Sequence, residues 1–169
     1  MKMMILVPFI ALILNGCGAS IEDEYAKFCN RQPESMSCIK HRQKGFAPEK
    51  EYLDAIERAM RSNFIYKTDQ DQYGKEEYWF DNVTVSGKLV GDCDDISLTF
   101  ISQLIIDGVS PDRIWFVVSG TDGEPRHFYV KVKMDDGTMF NFYGLSKYSD
   151  ILYMPLDDVG NFNSRITDE

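Results

Sequence analysis

The chain begins with an apolar run, residues 3–14, broken only by Pro8 and preceded by Lys2. A membrane-spanning helix takes about 20 apolar residues, so this run is too short to span. It has the length of the apolar region of a secretory signal. Residues 20–46 are polar and predict irregular structure. From Pro48 the pattern turns helical: Tyr52, Ile56 and Met60 recur at helical spacing, with Leu53 and Ala59 beside them. Acid at Glu49 and Glu51 suits the start of that helix, and Ser62-Asn63 its end. Residues 66–82 combine turn formers with aromatics and predict a long loop. Ile96, Phe100, Ile101, Leu104 and Ile105 then form an apolar helical face, and Gly108 suits the helix cap. Residues 114–118 read as a strand, and residues 128–134 as a half-buried strand. Asp135-Asp136-Gly137 is a hairpin signal, residues 139–143 return antiparallel, and residues 151–154 add a short strand. Helices first and an antiparallel sheet afterwards predict an α+β fold. No internal repeat or low-complexity tract interrupts this order.

Composition changes the picture little. The 169 residues are 44% hydrophobic and 13% aromatic, enough for one domain of roughly 150 residues once a leader is removed. The formal net charge of -9 and the absence of a basic stripe argue against a nucleic-acid partner.

The cysteines change it more. Leu14-Asn15-Gly16-Cys17 resembles a bacterial lipobox, with Cys17 as the residue that takes lipid. The expected organisation is a lipoprotein signal peptide over 1–16, a tether and disulfide-stapled segment over 17–46, and a catalytic domain over 47–169. The expected location is the periplasmic side of a bacterial membrane, anchored through Cys17, with soluble secretion as the alternative. Export implies an oxidising compartment, in which Cys29 and Cys38 are a natural disulfide pair. Cys93 is then the odd thiol, a candidate reactive group. A zinc site fails for want of CxxC spacing, since only His41 and His127 could assist. A redox role for Cys93 lacks a resolving cysteine.

Cys93 is expected in the first turn of the residue 96–105 helix, where the helix N-terminus favours a thiolate. Gly91 before it allows a tight turn and leaves room for a substrate, and the Cys93 N–H offers half an oxyanion hole. His127 falls at a loop–strand junction and supplies the base. Asn141, on the returning strand, is the best-placed third group to orient the imidazole, with Asp135 and Asp136 as alternatives. Asp92, Asp94 and Asp95 surround the cysteine with negative charge, which disfavours a thiolate unless a metal ion or hydrogen bonds offset it. Asp69-Gln70-Asp71 followed by Gly74 has the look of an EF-hand loop. That reading fails, because Tyr73 holds the fifth loop position and Phe80 the place of the bidentate Glu.

The run Asn63…Tyr66…Asp69…Asp71-Gln72-Tyr73-Gly74…Trp79…Gly91-Asp92-Cys93-Asp94-Asp95 resembles the bacterial transglutaminase-like cysteine proteinases, the LapG-like periplasmic type among them. A helix ending in Gly108-Val109, a hydrophobic strand, a histidine opening the next strand and a polar residue on the strand after fit the same order. The resemblance covers about residues 48–156. It implies a papain-like fold and a Cys-His-Asp triad, with Cys93 as nucleophile and His127 as base. Asn141 stands where the family has Asp, and papain-like enzymes use Asn in that role. Asp94 replaces the motif's usual Glu. Acids flanking the cysteine bind calcium in LapG-type members, so Asp92 and Asp94 are candidate Ca2+ ligands, although the chemistry itself requires no cofactor. The expected activity is hydrolysis of an amide bond in a periplasmic protein, through a thioester. Two alternatives stay open: acyl transfer to an amine, and a non-catalytic lipoprotein that binds a partner on a degenerate scaffold.

Overall fold

The computed structural model describes residues 21–38, 45–81, 88–121, 124–143 and 149–155. The expected signal peptide, the lipobox and Cys17 lie outside them. Among the described residues, no helix is long and apolar enough to cross a membrane.

Helix α4 (Cys93–Ile106) runs through the centre of the molecule. The sequence shows an apolar stripe, but the helix is buried nearly all round: Ile96, Leu98, Phe100, Ile101 and Leu104 are each at most 1% exposed. Its polar residues survive burial because their hydroxyls are satisfied locally. Ser97 Oγ donates to the Cys93 carbonyl at 2.6 Å, and Thr99 Oγ1 to the Asp95 carbonyl at 2.8 Å. The helix ends as expected at Gly108, whose φ of +90° is open to glycine.

Against α4 packs an antiparallel four-stranded sheet of β3 (Ile114–Thr121), β4 (Glu124–Lys133), β5 (Met139–Phe142) and β6 (Ser149–Pro155), in the order β5-β4-β3-β6. Alternation decides which residues reach the core. Phe116 pairs with Val130 and Val118 with Phe128, and all four are buried. Phe142 on β5 stacks flat on Phe100 of α4, with centroids 3.9 Å apart. Helix α2 (Lys50–Asn63) lies where its periodicity predicts, with Leu53 and Met60 buried.

Two expectations are corrected. Residues 20–46 are not simply irregular: Ile21–Arg31 forms helix α1. Its inward residues Tyr25 and Phe28 are 4% and 0% exposed, and Tyr25 meets Trp79 edge-on in the core. The charges around them hide the helical spacing of Ile21, Tyr25 and Phe28. The Cys29–Cys38 disulfide forms as expected and pins the following turn to α1. That turn is held against α4 by a buried polar cluster in which Ser35 and Ser102 donate to the Asp81 carboxylate.

The second correction concerns residues 66–82. The loop contains a short helix, α3 (Asp69–Tyr73), capped by Thr68 and closed by Gly74 at φ +67°. Before it, β1 (Phe64–Tyr66) pairs in parallel with β2 (Leu89–Gly91), so Tyr66 lies opposite Gly91, two residues ahead of Cys93. This small sheet places both β1 and α3 beside the start of α4.

Candidate active site

Cys93 is the first residue of α4, as its position before the apolar run predicts. Asp95 stands three residues after the helix N-cap Asp92, and the Asp92 backbone N–H acts on its carboxylate, opposing the burial that raises it. The same carboxylate accepts from the Phe80 N–H at 2.6 Å. Asp95 thus ties the start of α4 to the segment after α3. Gly91 is required for this, because a Cβ there would lie 2.1 Å from Asp95 Oδ2. The space attributed in sequence to a substrate is filled by the protein's own carboxylate.

The backbone N–H of Phe128, the residue next to His127 on β4, opposes the burial that raises the Cys93 thiol. His127 lies inside β4 rather than at its start, opposite Ser119 on β3. The register shifts at this point: Gly120 pairs with Pro125, so Arg126 is the extra residue of a bulge adjoining His127. Bulges of this kind re-aim a side chain beside a site. The imidazole is 5% exposed. Its Nε2 lies 2.6 Å from the backbone carbonyl oxygen of Tyr143. A carbonyl only accepts, so Nε2 carries the hydrogen and, in the neutral ring, Nδ1 carries the lone pair. The His127 and Tyr143 ring centroids are 5.6 Å apart, and burial raises the Tyr143 and Tyr66 phenols, with the charge of Cys93 and Asp92 adding to it.

Asn141 is not brought to His127. It is exposed and pairs with Lys131, four residues along β4. Four strand residues span about 13 Å, well beyond the reach of an asparagine side chain. The alternatives Asp135 and Asp136 sit in the hairpin turn, where Asp136 accepts from Thr138.

Acid dominates the other flank of Cys93. Asp69, Asp92 and Asp95 bring carboxylate oxygens within 4.8 Å of one another, as do Asp69, Glu77 and Asp94. Asp69 Oδ1, Asp92 Oδ1, Asp94 Oδ2 and Asp95 Oδ2 are buried without a hydrogen-bond partner. Burial raises these acids, and their neighbours' charges add to it. Asp69 is pushed up to about 6, through burial first and with Asp92 and Glu77 adding. Asp95 is pushed up to about 8 by burial, Asp92 and Asp69. Asp94 is held well above the ordinary carboxylate range by burial, a hydrogen bond shared with Asp92, and the Asp95 charge. Burial likewise pushes the Cys93 thiol up to about 12; Asp92 and Glu77 add to this, and the N–H groups of Phe128 and Cys93 oppose it. The expected ligands Asp92 and Asp94 lie in this cluster. Asp69, Glu77 and Asp95 were missed as members. In the sequence Asp69 stands in the rejected EF-hand pattern and in the run that carries the family resemblance, and neither marks it as a ligand; in the structure it opens the short helix α3. Its carboxylate nonetheless turns to the cluster, held by the Tyr78 N–H.

Oxygen donors of this number and charge suit a hard divalent cation, and the orphaned buried oxygens are what such an ion would satisfy. The residues present fit calcium.

A search of curated proteins by sequence gives no match. Among solved structures, calcium-bound Legionella pneumophila LapG is similar at 15% sequence identity and a TM-score of 0.43, over 63% of this chain and 67% of that one. A model of the bacterial transglutaminase-like cysteine proteinases matches residues 18–141, about three quarters of the sequence. This chain belongs to the bacterial transglutaminase-like cysteine proteinase family.

Proposed function

We propose that the protein hydrolyses an amide bond in a protein substrate on the periplasmic side of a bacterial membrane, with Cys93 as nucleophile and His127 as base, and that it is held there by lipid at Cys17. The observation that carries the chemistry is a thiol at the first residue of a buried helix together with a buried imidazole whose Nε2 is engaged by a carbonyl, the N–H of Phe128 beside that histidine acting on the thiol.

His127 Nδ1 takes the thiol proton, and Cys93 Sγ attacks the substrate carbonyl carbon. The N–H of Cys93, at the start of α4, faces the developing oxyanion. Collapse of the tetrahedral intermediate breaks the C–N bond, and His127 returns the proton to the leaving amine. A thioester remains on Cys93, and water, activated by the same imidazole, hydrolyses it. Asp69, Asp92, Asp94 and Asp95, with Glu77 adjacent, would hold calcium, which would supply positive charge beside a thiol that burial, with Asp92 and Glu77 adding, otherwise keeps protonated.

The test is acid-quench mass spectrometry of the calcium-loaded protein mixed with a peptide-amide library. A Cys93 acyl adduct, lost in Cys93→Ser and accompanied by free amine, supports hydrolysis. No adduct and no amine release overturn it. Added primary amine appearing in the product in place of water would instead assign acyl transfer.

A further inference from the structure

The residue that the sequence offers to orient His127 lies about four strand positions away, yet the imidazole is held. Its Nε2 meets the backbone oxygen of Tyr143 at 2.6 Å. Tyr143 is also the one non-glycine residue with positive φ, at +64°, among the described residues. L-residues with aromatic side chains rarely adopt that conformation. They keep it only where the surroundings impose it, and such positions cluster at functional sites.

The surroundings here do impose it. Phe142, one residue earlier, is fully buried and stacked on Phe100. The Tyr143 ring is fixed by Phe64 edge-on at 6.2 Å and by the Arg61 guanidinium 4.8 Å above its face. The β4–β5 ladder stops at Val130↔Phe142. Past that rung the chain turns left-handed, and the next carbonyl points at the imidazole.

We propose that the Tyr143 backbone carbonyl, aimed by its left-handed conformation, orients His127 in the position that a side-chain carboxylate or amide occupies in a Cys-His-Asp or Cys-His-Asn triad. Tyr143 is a positioning residue: it touches the imidazole, not the substrate. A neutral acceptor holds the Nε2–H tautomer and leaves the Nδ1 lone pair for the thiol proton, but it adds no negative charge to stabilise an imidazolium. This inference rests on the reading of His127 as the base of the proposed function.

The test is nitrogen-15 NMR of the histidine rings in the whole chain in chelator, where Cys93 keeps its proton, at a pH above the imidazole titration, with His41→Gln identifying the His127 signals. The expected result is a neutral His127 that is predominantly the Nε2–H tautomer in wild type, in Tyr143→Gly, which loses the ring but accepts positive φ, and in Asn141→Ala. Tyr143→Val, in which a β-branched residue resists positive φ, shifts the ring toward Nδ1–H and slows Cys93 alkylation severalfold. A wild-type ring that is mainly Nδ1–H overturns the inference. So does a tautomer that responds to Asn141→Ala and not to Tyr143→Val. Should Tyr143→Val not fold, the wild-type, Tyr143→Gly and Asn141→Ala spectra still decide. The tautomer is read without catalysis, so its outcome is separate from failure of the hydrolase reading, which shows as Cys93 alkylation indifferent to His127.

Discussion

Asp95 occupies the space that a side chain on Gly91 would need, and the two residues together set the start of the nucleophile helix. A Cβ at residue 91 would lie 2.1 Å from Asp95 Oδ2 and 2.5 Å from Asp95 Cβ. Asp95 is fully buried in the first turn of α4 and fixed by the Phe80 N–H, so it cannot retreat without losing that bond. Gly91→Ala is therefore expected to lower stability by about 1–3 kcal/mol, the usual range for overpacking a filled site. It should also weaken calcium binding. Thermal melts with and without calcium check both effects.

The buried acids make the calcium-free protein sensitive to pH in an unusual direction. Asp94 and Asp95 are raised in the folded state, Asp95 to about 8, so the native protein binds more protons than the unfolded chain between roughly pH 4 and pH 8. Stability from these groups is full below the unfolded carboxylate range and is lost as pH rises through the folded values. In chelator the melting temperature should fall from pH 5.5 to pH 8.5. Calcium should reverse the trend, because a cation favours the ionised acids that pH exposes. Its stabilisation at 100 times the Kd is about 2.7 kcal/mol. A chelated protein that becomes more stable over this interval contradicts the cluster as described.

Asp94→Asn separates fold from ion binding. Removing a buried carboxylate from among like charges should raise the melting temperature in chelator. Removing a charged ligand should weaken calcium binding by about tenfold or more, since ligand charge sets affinity in such sites. Calorimetric titration and melts of the same variant give both numbers.

The N-terminal staple belongs to the domain. Phe28 is fully buried, and the Cys29–Cys38 bridge closes a loop with a sequence separation of 9. Phe28→Ala should cost about 3–5 kcal/mol, and Cys29→Ser with Cys38→Ser about 2–3 kcal/mol. Denaturant titration measures each. A chain cut back to residue 47 should not fold as the full chain does, because α1 covers Trp79.

Much of this was legible in the sequence for identifiable reasons. The helix of Tyr52, Ile56 and Met60, the strand at residues 114–118 and the Asp136-Gly137 hairpin rest on local periodicity and turn chemistry, and they formed where expected. Cys93 could be placed at a helix start because an apolar run follows it directly. What was not legible depends on distant partners. The α1 residues Tyr25 and Phe28 read as polar-segment residues until Trp79 is set against them. Asp69 joins Asp92 and Asp95 only through the folding of α3 and the β1–β2 pair. Asn141 looked well placed because strand parity puts it on a shared face with His127; parity does not give the register, and the register leaves it opposite Lys131. A backbone carbonyl such as that of Tyr143 carries no side-chain signature at all.

The central claim is that Cys93 is a nucleophile supported by His127 and by a cation in the acid cluster. It is tested most directly by the rate of Cys93 alkylation by iodoacetamide as a function of pH, in calcium and in chelator, for wild type and His127→Ala. In chelator the thiol, pushed up to about 12 by burial and by Asp92 and Glu77, should react slowly at pH 7. In calcium the rate should be high already near pH 6 and should fall at least tenfold on removing His127, a difference of about 1.4 kcal/mol. A rate that follows an ordinary thiol near pH 8.5 and ignores both calcium and His127 would contradict the account.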